Sequence, residues 1–303
     1  MPSRSPHRLP TVKQLRYFIA LAEHQHFARA AAASFVSQSA FSVAIKELEN
    51  LLGVDLVDRT NKRVTITATG REIAARARAC LQEIETLVDF AGGAREPLAG
   101  RLRLGVIPTI APFLLPALLP ALRASYPDLD LYLREDLTQR VYERMMDGEL
   151  DLILIALPYD LRGIETMSLF QDPFLLAYRQ GTKLVDPENY SFNRLPDESV
   201  LLLEDGHCLR DHALTACRLR NNEKISRFAA TSLNTLIQMV DSDLGITYLP
   251  QMAMGTALLR GTRVKTLPLP AKSVYRDIGL AWRSGSRRQT EFELLGNFIR
   301  EHH

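Results

Sequence analysis

The chain has 303 residues, 46% of them hydrophobic, with a formal net charge of +2 and three cysteines. This length predicts about two domains, whereas three cysteines are too few for a disulfide scaffold. No run reaches the roughly eighteen apolar residues of a membrane span, and the start lacks the apolar stretch of a signal peptide. We therefore expect a cytoplasmic protein without a membrane partner, in which any disulfide is transient or sensory.

Positive charge is concentrated near the N-terminus. Residues 1–70 carry nine Lys/Arg and five Asp/Glu, a net charge of +4, which leaves −2 for the remainder. A basic first segment ahead of an acidic body favours nucleic-acid binding at the N-terminus. Residues 1–11, which are basic and proline-rich, are interpreted as a disordered arm.

Three helices are predicted next. Apolar residues recur at helical spacing from Val12 to Leu21, and the small residues of RAAAAS (29–34) suit a closely packed second helix. Ser37 can cap a third helix that ends at Gly53. Its inward stripe is predicted to be Phe41, Ile45, Leu48 and Leu52. Two short helices with a tight join, the second polar at its start, are typical of a helix-turn-helix, although an ordinary helical bundle remains the alternative.

A hairpin and a long helix follow. LVDRTNKRVTITATG (56–70) contains two β-type runs around a basic tip, as in the wing of a winged helix. Thr69 then begins a helix of about 25 residues, a length typical of helices that pair with a second copy. Cys80 lies on the apolar stripe of this helix, and we interpret it as a small buried hydrophobe.

The pattern changes after Gly92-Gly93 and Pro97 to alternating strands and helices, which predicts an α/β body with a parallel sheet. The predicted strands include RLRLGVIP, LDLYLRED, DLILIALP, FLLAYRQ, VLLLEDG, FAAT, ITYLP and IGLAWR. We expect two lobes around a cleft, with a ligand at the strand ends.

Specific residues of the first segment resemble the LysR-type transcriptional regulators. The matching positions are Phe18, the alanine run, Val36-Ser37-Gln38, Ser42, Ile45, Leu48-Glu49, Leu52-Gly53, Leu56, Asp58-Arg59, Thr67, Thr69 and Gly70. The body is similar to the effector domain of that family in GVIPTIAPFLLP, GELDLILIALP and GITYLP. The resemblance implies a winged helix-turn-helix, a long linker helix and a two-lobed periplasmic-binding-protein-like α/β regulatory domain. It also implies a homotetramer that binds promoter DNA and contacts RNA polymerase.

The resemblance divides the chain into a DNA-binding domain at 12–70, a linker helix and hinge at 71–97 and a regulatory domain at 98–303. Base edges would meet the polar start of the third helix, and phosphates would meet the basic residues. These DNA-binding candidates are Ser37, Gln38, Ser39, Ser42, Lys46, Arg59, Lys62 and Arg63. The presumed recognition helix departs from the family pattern at Ser39, Phe41 and Val43-Ala44. These departures affect the expected base preference and not the expectation of DNA binding.

The segment LLLEDGHCLRDHALTAC is similar to the hydrogen-peroxide-sensing branch of the family. This similarity implies that Cys208 reacts with peroxide and that Cys217 resolves the product. It further implies a peroxide pocket formed by Thr109, Thr138, His207 and Arg276. Hydrogen peroxide would then be the signal, with no cofactor, no metal and no enzymatic activity.

Spacing constrains the two cysteines. In a helix, nine steps of about 1.5 Å place their Cα atoms roughly 13 Å apart on opposite faces, whereas a disulfide needs Cα atoms within about 7 Å. Any bond between Cys208 and Cys217 therefore requires the helix to unfold. At the helix start, the dipole together with Arg210 and His207 is expected to favour the Cys208 thiolate, the species that attacks peroxide. Asp211 is expected to pair with Arg210.

Other interpretations of the same residues stay open at this stage. Both cysteines could be inert core residues, in a LysR-type regulator gated by a small metabolite in the interlobe cleft. A zinc or copper site could recruit His207, Cys208, His212 and Cys217, although structural zinc pairs have closer spacings. A thiol peroxidase is a further alternative, in which a DNA-binding head and a long dimer helix have no evident purpose.

Overall fold

The computed structural model describes residues 9–60, 63–91, 97–159, 161–216, 222–269 and 274–303. Contacts divide the chain into two compact units, Met1–Glu96 with Met146–Glu149, and Pro97–Met145 with Leu150–His303. Across the described ranges, no helix is both long and apolar enough to cross a bilayer.

The first unit is a winged helix-turn-helix followed by a long helix, as predicted. Its elements are α1 (Val12–His24), α2 (Phe27–Ala33), α3 (Gln38–Leu52), β1 (Val57–Thr60), β2 (Arg63–Ile66) and α4 (Ala68–Ala91). Thr11 and Gln14 form a capping box at the start of α1. The predicted limits of α3 are confirmed, since the Ser37 hydroxyl accepts from the Ala40 amide and Gly53 ends the helix at φ 69°.

Three polar or small residues fix the antiparallel wing and α4 to this core. Glu49 Oε1 accepts from the amides of Leu56 and Val57 at 3.0 and 3.2 Å, which holds the start of β1. The Gly70 amide donates to the Thr67 hydroxyl at 2.8 Å and begins α4. A Cβ atom on Gly70 would lie 2.2 Å from the Leu56 carbonyl oxygen, so no larger residue fits this close approach.

The apolar stripe of α4 differs from the prediction at Cys80. Gly70, Ala74 and Ala77 are buried, at the i, i+4, i+7 spacing of one helix face, but Cys80 is exposed. Leu87, further along, is 65% exposed. The expectation that Cys80 is a buried hydrophobe is therefore wrong, because helical spacing predicts which residues share a stripe and not how far a neighbouring element covers it.

The second unit contains the remaining elements. Its helices are α5 (Ala111–Ser125), α6 (Thr138–Met146), α7 (Cys208–Ala216), α8 (Leu233–Asp241) and α9 (Gln289–Glu301). Its strands are β3 (Gly100–Val106), β4 (Leu129–Glu135), β5 (Leu152–Leu157), β6 (Ile164–Arg179), β7 (Val200–Leu203), β8 (Ile225–Ala230), β9 (Thr247–Pro250), β10 (Val264–Pro268) and β11 (Tyr275–Arg283).

The sheets are mixed, which corrects the expectation of a parallel sheet. The strand order is β10-β6-β11-β5-β3-β4, with β9 also paired to β6. Among the strands that the structure describes, only the β3–β4, β3–β5 and β7–β8 ladders are parallel. The long strand β6 is antiparallel to β11, β10 and β9. Its 16 residues were only partly predicted, since the sequence indicated a strand from Phe174 onward.

Two hydrophobic cores form the two lobes. Lobe I is built from β3, β4, β5, β11 and the first half of β6, and its core includes Trp282 and Phe292. Lobe II is built from β7 to β10 and the second half of β6, with Phe174 and Tyr248 in its core. Helix α7 contributes to both cores, because Cys208 belongs to lobe I and Leu209 to lobe II.

Candidate functional site

A sharp turn delivers Cys208 to the boundary between the lobes. Strand β7 ends at Leu203, and Gly206 adopts φ 95°, a conformation that L side chains rarely take. His207 follows, and Cys208 is the first residue of α7. The Cys208 side chain is only 3% exposed, so the turn places the thiol inside the protein.

A narrow crevice surrounds the thiol and brings three predicted pocket residues together. Its lining residues are Ile107, Pro108, Thr109, Leu137, Thr138, Gly206, His207 and Cys208. Thr109 follows β3, whereas Thr138 is the first residue of α6. The crevice is closed to a water-sized sphere. The Thr138 hydroxyl, 1% exposed, has no hydrogen bond within the usual limits to any described group, yet it lies near enough to the sulfur to favour the thiolate.

Arg276, the fourth predicted pocket residue, is hydrogen-bonded to Thr109 and Asp172 beside the crevice. It is 1% exposed and donates from Nη1 to the Thr109 hydroxyl and from Nη2 to the Thr109 carbonyl, both at 2.9 Å. Its Nε donates to Asp172 Oδ2 at 2.9 Å. Asp172 Oδ1 in turn accepts from the Met252 amide at 2.9 Å. Arg276 therefore fixes both the backbone and the hydroxyl of Thr109.

Sequence reasoning missed Asp172. This carboxylate is 2% exposed and lies opposite Arg276 in the β6–β11 ladder. An acidic residue beside a proline, Asp172-Pro173, reads as a turn from sequence alone. Only the pairing of two strands that are far apart in sequence makes it the counterion of Arg276.

The electrostatics of Cys208 differ from the prediction. Burial raises the pKa of the thiol above its ordinary value, while the Thr138 hydroxyl and the Arg276 charge act in the opposite direction. The expected excess of thiolate at the helix start is therefore absent in this closed form. Arg210 does not act on the sulfur as predicted, because its Nε pairs with Asp205 at 2.9 Å and its Nη1 donates to the Leu203 carbonyl. The ion pair between Arg210 and Asp205 takes the place of the expected pair between Arg210 and Asp211.

Two histidines flank the thiol along the chain. Burial lowers the pKa of His207, although Glu204 and the Thr231 carbonyl oppose that shift. Burial also lowers the pKa of His212, whose Nε2 lies 3.2 Å from the Pro158 carbonyl. Both rings are therefore neutral near pH 7. Within the ranges described, no group of three or more His, Cys, Asp or Glu side chains is arranged to hold a metal ion.

Cys217 lies outside the described residues. Helix α7 extends from Cys208 to Ala216, so the segment between the cysteines is helical as far as it is described. The predicted roles of Thr109, Thr138, His207 and Arg276 stay predictions, but these side chains do surround one sulfur or support its surroundings.

The predicted DNA-binding residues occupy the start of α3 and the wing. Gln38, Ser39 and Lys46 are exposed, and Ser42 is half-buried. The Ser37 hydroxyl lies 3.1 Å from the Ser39 hydroxyl. At the tip end of the β1–β2 ladder, Arg59 is paired with Val64 and Arg63 with Thr60. Lys62 lies outside the described residues.

A larger cleft opens beside the crevice, between the lobes of the second unit. It has a volume of about 350 Å³. Thr109 and His207 line both spaces. The other lining residues are Pro108, Pro112, Phe113, Glu135, Leu203, Thr231, Ser232, Leu233, Asn234, Thr256, Ala257 and Leu258. This mixture of apolar walls and hydroxyl groups suits a small molecule.

Comparisons with known proteins agree with this architecture. Residues 12–71 match the family described as bacterial regulatory helix-turn-helix protein, lysR family, and residues 95–303 match the LysR substrate binding domain. The chain is 37% identical over 292 residues to the HTH-type transcriptional regulator EstR of Acinetobacter baylyi, covering 96% of this chain and 97% of that one. It is 38% identical over 289 residues to the DNA-binding transcriptional dual regulator OxyR of Escherichia coli, with 95% and 94% covered. A full-length OxyR structure from Pseudomonas aeruginosa superposes with a TM-score of 0.81 at 34% identity, covering 97% and 96% of the two chains.

Proposed function

We propose a peroxide-sensing role for this chain, which belongs to the LysR family of DNA-binding bacterial transcriptional regulators. The observation that carries the proposal is the buried Cys208 thiol in a crevice that Thr109, Thr138 and His207 also line. Arg276 donates a hydrogen bond to the hydroxyl of Thr109. Relatives named OxyR or hydrogen peroxide-inducible genes activator support it.

The proposed first step is oxidation of Cys208 to a sulfenic acid. The thiolate attacks one peroxide oxygen, the O–O bond breaks, and the leaving hydroxide takes up a proton to become water. Thr109, Thr138 and His207 would orient the peroxide by hydrogen bonds. Because the crevice is closed to a water-sized sphere, peroxide would enter as the crevice opens. The added polar surroundings would then offset the burial that raises the Cys208 pKa and let Thr138 and Arg276 favour the thiolate.

The second step is formation of a Cys208–Cys217 disulfide with release of a second water molecule. Eight residue steps of about 1.5 Å separate Cys208 from Ala216 in α7, roughly 12 Å along the axis. A residue bonded to Ala216 can approach at most about 3.8 Å closer, so it stays more than about 7 Å from Cys208 while α7 is helical. We infer that disulfide formation unfolds α7 and withdraws Cys208 from the core of lobe I.

The unfolded α7 would then alter subunit contacts and reposition the DNA-binding units. We propose a homotetramer on promoter DNA that contacts RNA polymerase, with α4 pairing two copies. The exposed Leu87 of α4 would contribute to that pairing. The domain limits 12–70, 71–97 and 98–303 are part of this proposal. Light scattering of the full chain tests it, since a monomer at micromolar concentration would contradict the assembly.

One experiment tests the sensor. The protein is treated with stoichiometric peroxide, disulfides are mapped by mass spectrometry, and the DNA footprint and peroxide turnover are followed in parallel. We expect a Cys208–Cys217 disulfide with an altered footprint and without sustained turnover. Cys208→Ser should abolish the response, Cys217→Ser should stop at the sulfenic acid, and Cys80→Ser, which removes an exposed cysteine of the other unit, should respond normally.

The interlobe cleft favours a second candidate, a regulator gated by a small metabolite. Its volume of about 350 Å³ and its hydroxyl-bearing walls suit such a ligand. An unchanged Cys208 thiol after peroxide treatment, with an intact footprint, would support metabolite gating. Rapid turnover without an effect on DNA binding would instead support a thiol peroxidase.

A further inference from the structure

The outer face of α3 carries an apolar side chain at its centre. Phe41, Ile45 and Leu48 are 0% exposed and form the inner face. Val43 points away from them, four residues after Ser39 on the same exposed side, and is 57% exposed. A branched apolar side chain at an exposed helix position gains little burial and is a weaker helix former than most polar residues.

A second apolar residue stands just before the same helix. Phe35, in the turn between α2 and α3, is 95% exposed. Its backbone has φ 56°, the left-handed region that favours glycine or asparagine after a helix. The ring therefore contributes almost no burial while its backbone occupies an unfavourable conformation for a bulky residue.

Single exposed apolar residues are ordinary on protein surfaces, but these two lie in the turn and recognition helix of one helix-turn-helix. Neither position improves folding of the free chain, so both point to a partner that covers them. The exposed residues around Val43 include the polar Gln38 and Ser39, the basic Lys46 and the acidic Glu47. Together with the net charge of +4 over residues 1–70, they fit a polyanion with apolar groups at defined positions.

We propose that Val43 and Phe35 read the 5-methyl groups of thymines in the major groove of the operator. On the base edges exposed there, thymine alone presents a methyl group, and apolar side chains contact it. Lys46, on the same side of α3, would meet a phosphate and set the register. This readout of thymine methyl groups rests on the proposed function, because it requires that the protein binds DNA through α3.

The test begins with selection of binding sequences from randomised duplexes by the reduced full-length protein. The selected operator is then synthesised with uracil replacing one thymine at a time, which removes a methyl group and keeps base pairing. Affinity is measured by fluorescence anisotropy at fixed salt, since salt dominates the phosphate contribution. We expect particular thymines at which uracil weakens binding roughly fourfold for each contacted methyl group.

Variants assign the effect to the two residues. Val43→Ser should bind the thymine operator more weakly and lose its discrimination against uracil at one position, and Phe35→Ser should do so at another. Val43→Thr, which keeps one methyl group, should be intermediate. Leu244→Ser, which removes an exposed apolar side chain of the other unit (60% exposed), should behave like the unaltered protein on both duplexes.

The outcomes separate the two levels of the proposal. Equal affinity of the unaltered protein for every uracil duplex would overturn the methyl readout, as would discrimination that persists in both serine variants. Failure of any sequence to enrich would instead count against DNA binding, the function on which this inference rests.

Discussion

Replacing Arg276 with methionine should destabilise the regulatory unit strongly. The change removes a guanidinium that is 0% exposed at its side chain and leaves Asp172, at 2%, as a buried carboxylate without its countercharge. Breaking a buried ion pair from one side costs about 3–5 kcal/mol. For a unit of this size, each kcal/mol lowers the melting temperature by roughly 2–4 °C, so we expect a decrease of about 6–20 °C.

Trp282 provides the assay. It is the single tryptophan of the chain and is 2% exposed in the core of lobe I, so its fluorescence reports unfolding of this unit during heating, which gives the melting temperature. Arg227→Met is the matched control. It breaks an ion pair with Glu198 at 3.1 Å whose members are 89% and 52% exposed, and pairs of that kind contribute about 0–1 kcal/mol.

A double variant separates loss of the pair from loss of packing. Arg276→Met combined with Asp172→Asn removes both charges, so its cost should be well below the sum of the two single changes. Equal costs for Arg276→Met and Arg227→Met would refute the reasoning, because burial would then not be what makes the Arg276–Asp172 interaction matter.

Three further outcomes are expected. Since burial raises the Cys208 pKa, iodoacetamide labelling of Cys208 in the reduced protein, measured by peptide mass spectrometry, should accelerate with pH beyond pH 9 and be slower still in Thr138→Val. A plateau near neutral pH would contradict this. The pKa values of His207 and His212 are lower in the folded protein than in the unfolded chain, so the unfolded chain binds protons more readily as the pH falls. The free energy of unfolding in urea should therefore decrease below about pH 6.5, and less steeply in His212→Gln. A urea midpoint that does not change with pH would contradict this expectation. Gly206→Ala should lower stability by roughly 1–2 kcal/mol, since φ is 95° there, and a neutral effect on the urea midpoint would mean that the turn relaxes.

The sequence predicted those features that depend on neighbours along the chain. Ser37 and Gly53 mark the ends of α3 because capping chemistry is local, and the buried stripe of α3 follows from helical spacing. Strand pairing was harder, since a run of apolar residues carries no record of the direction of its partner. The mixed sheet and the full length of β6 therefore emerged only from the structure.

In the candidate site, too, residues close together in sequence were predicted and contacts between distant segments were not. Cys208 and His207 were predicted from one contiguous segment, and the resemblance to a family supplied Thr109, Thr138 and Arg276. Asp172 was missed, because its partner is 104 residues away in sequence. The protonation preference of Cys208 was also wrong in direction, since a helix start favours a thiolate only where water or a charge compensates for burial.

Strands β6 and β11 connect the two lobes, so the sequence of lobe II lies between two parts of lobe I. The chain leaves lobe I in β6 and returns in β11, and Pro173 lies opposite Tyr275 in the antiparallel ladder between them. Facing Cα atoms in such a ladder are only about 5 Å apart, a gap that a short turn can span. A deletion joining residue 173 to residue 275 would thus keep every strand of lobe I in order. The intervening segment, which carries α7 and both cysteines of the proposed disulfide, is one continuous stretch of sequence that packs against lobe I through Cys208 and Met252.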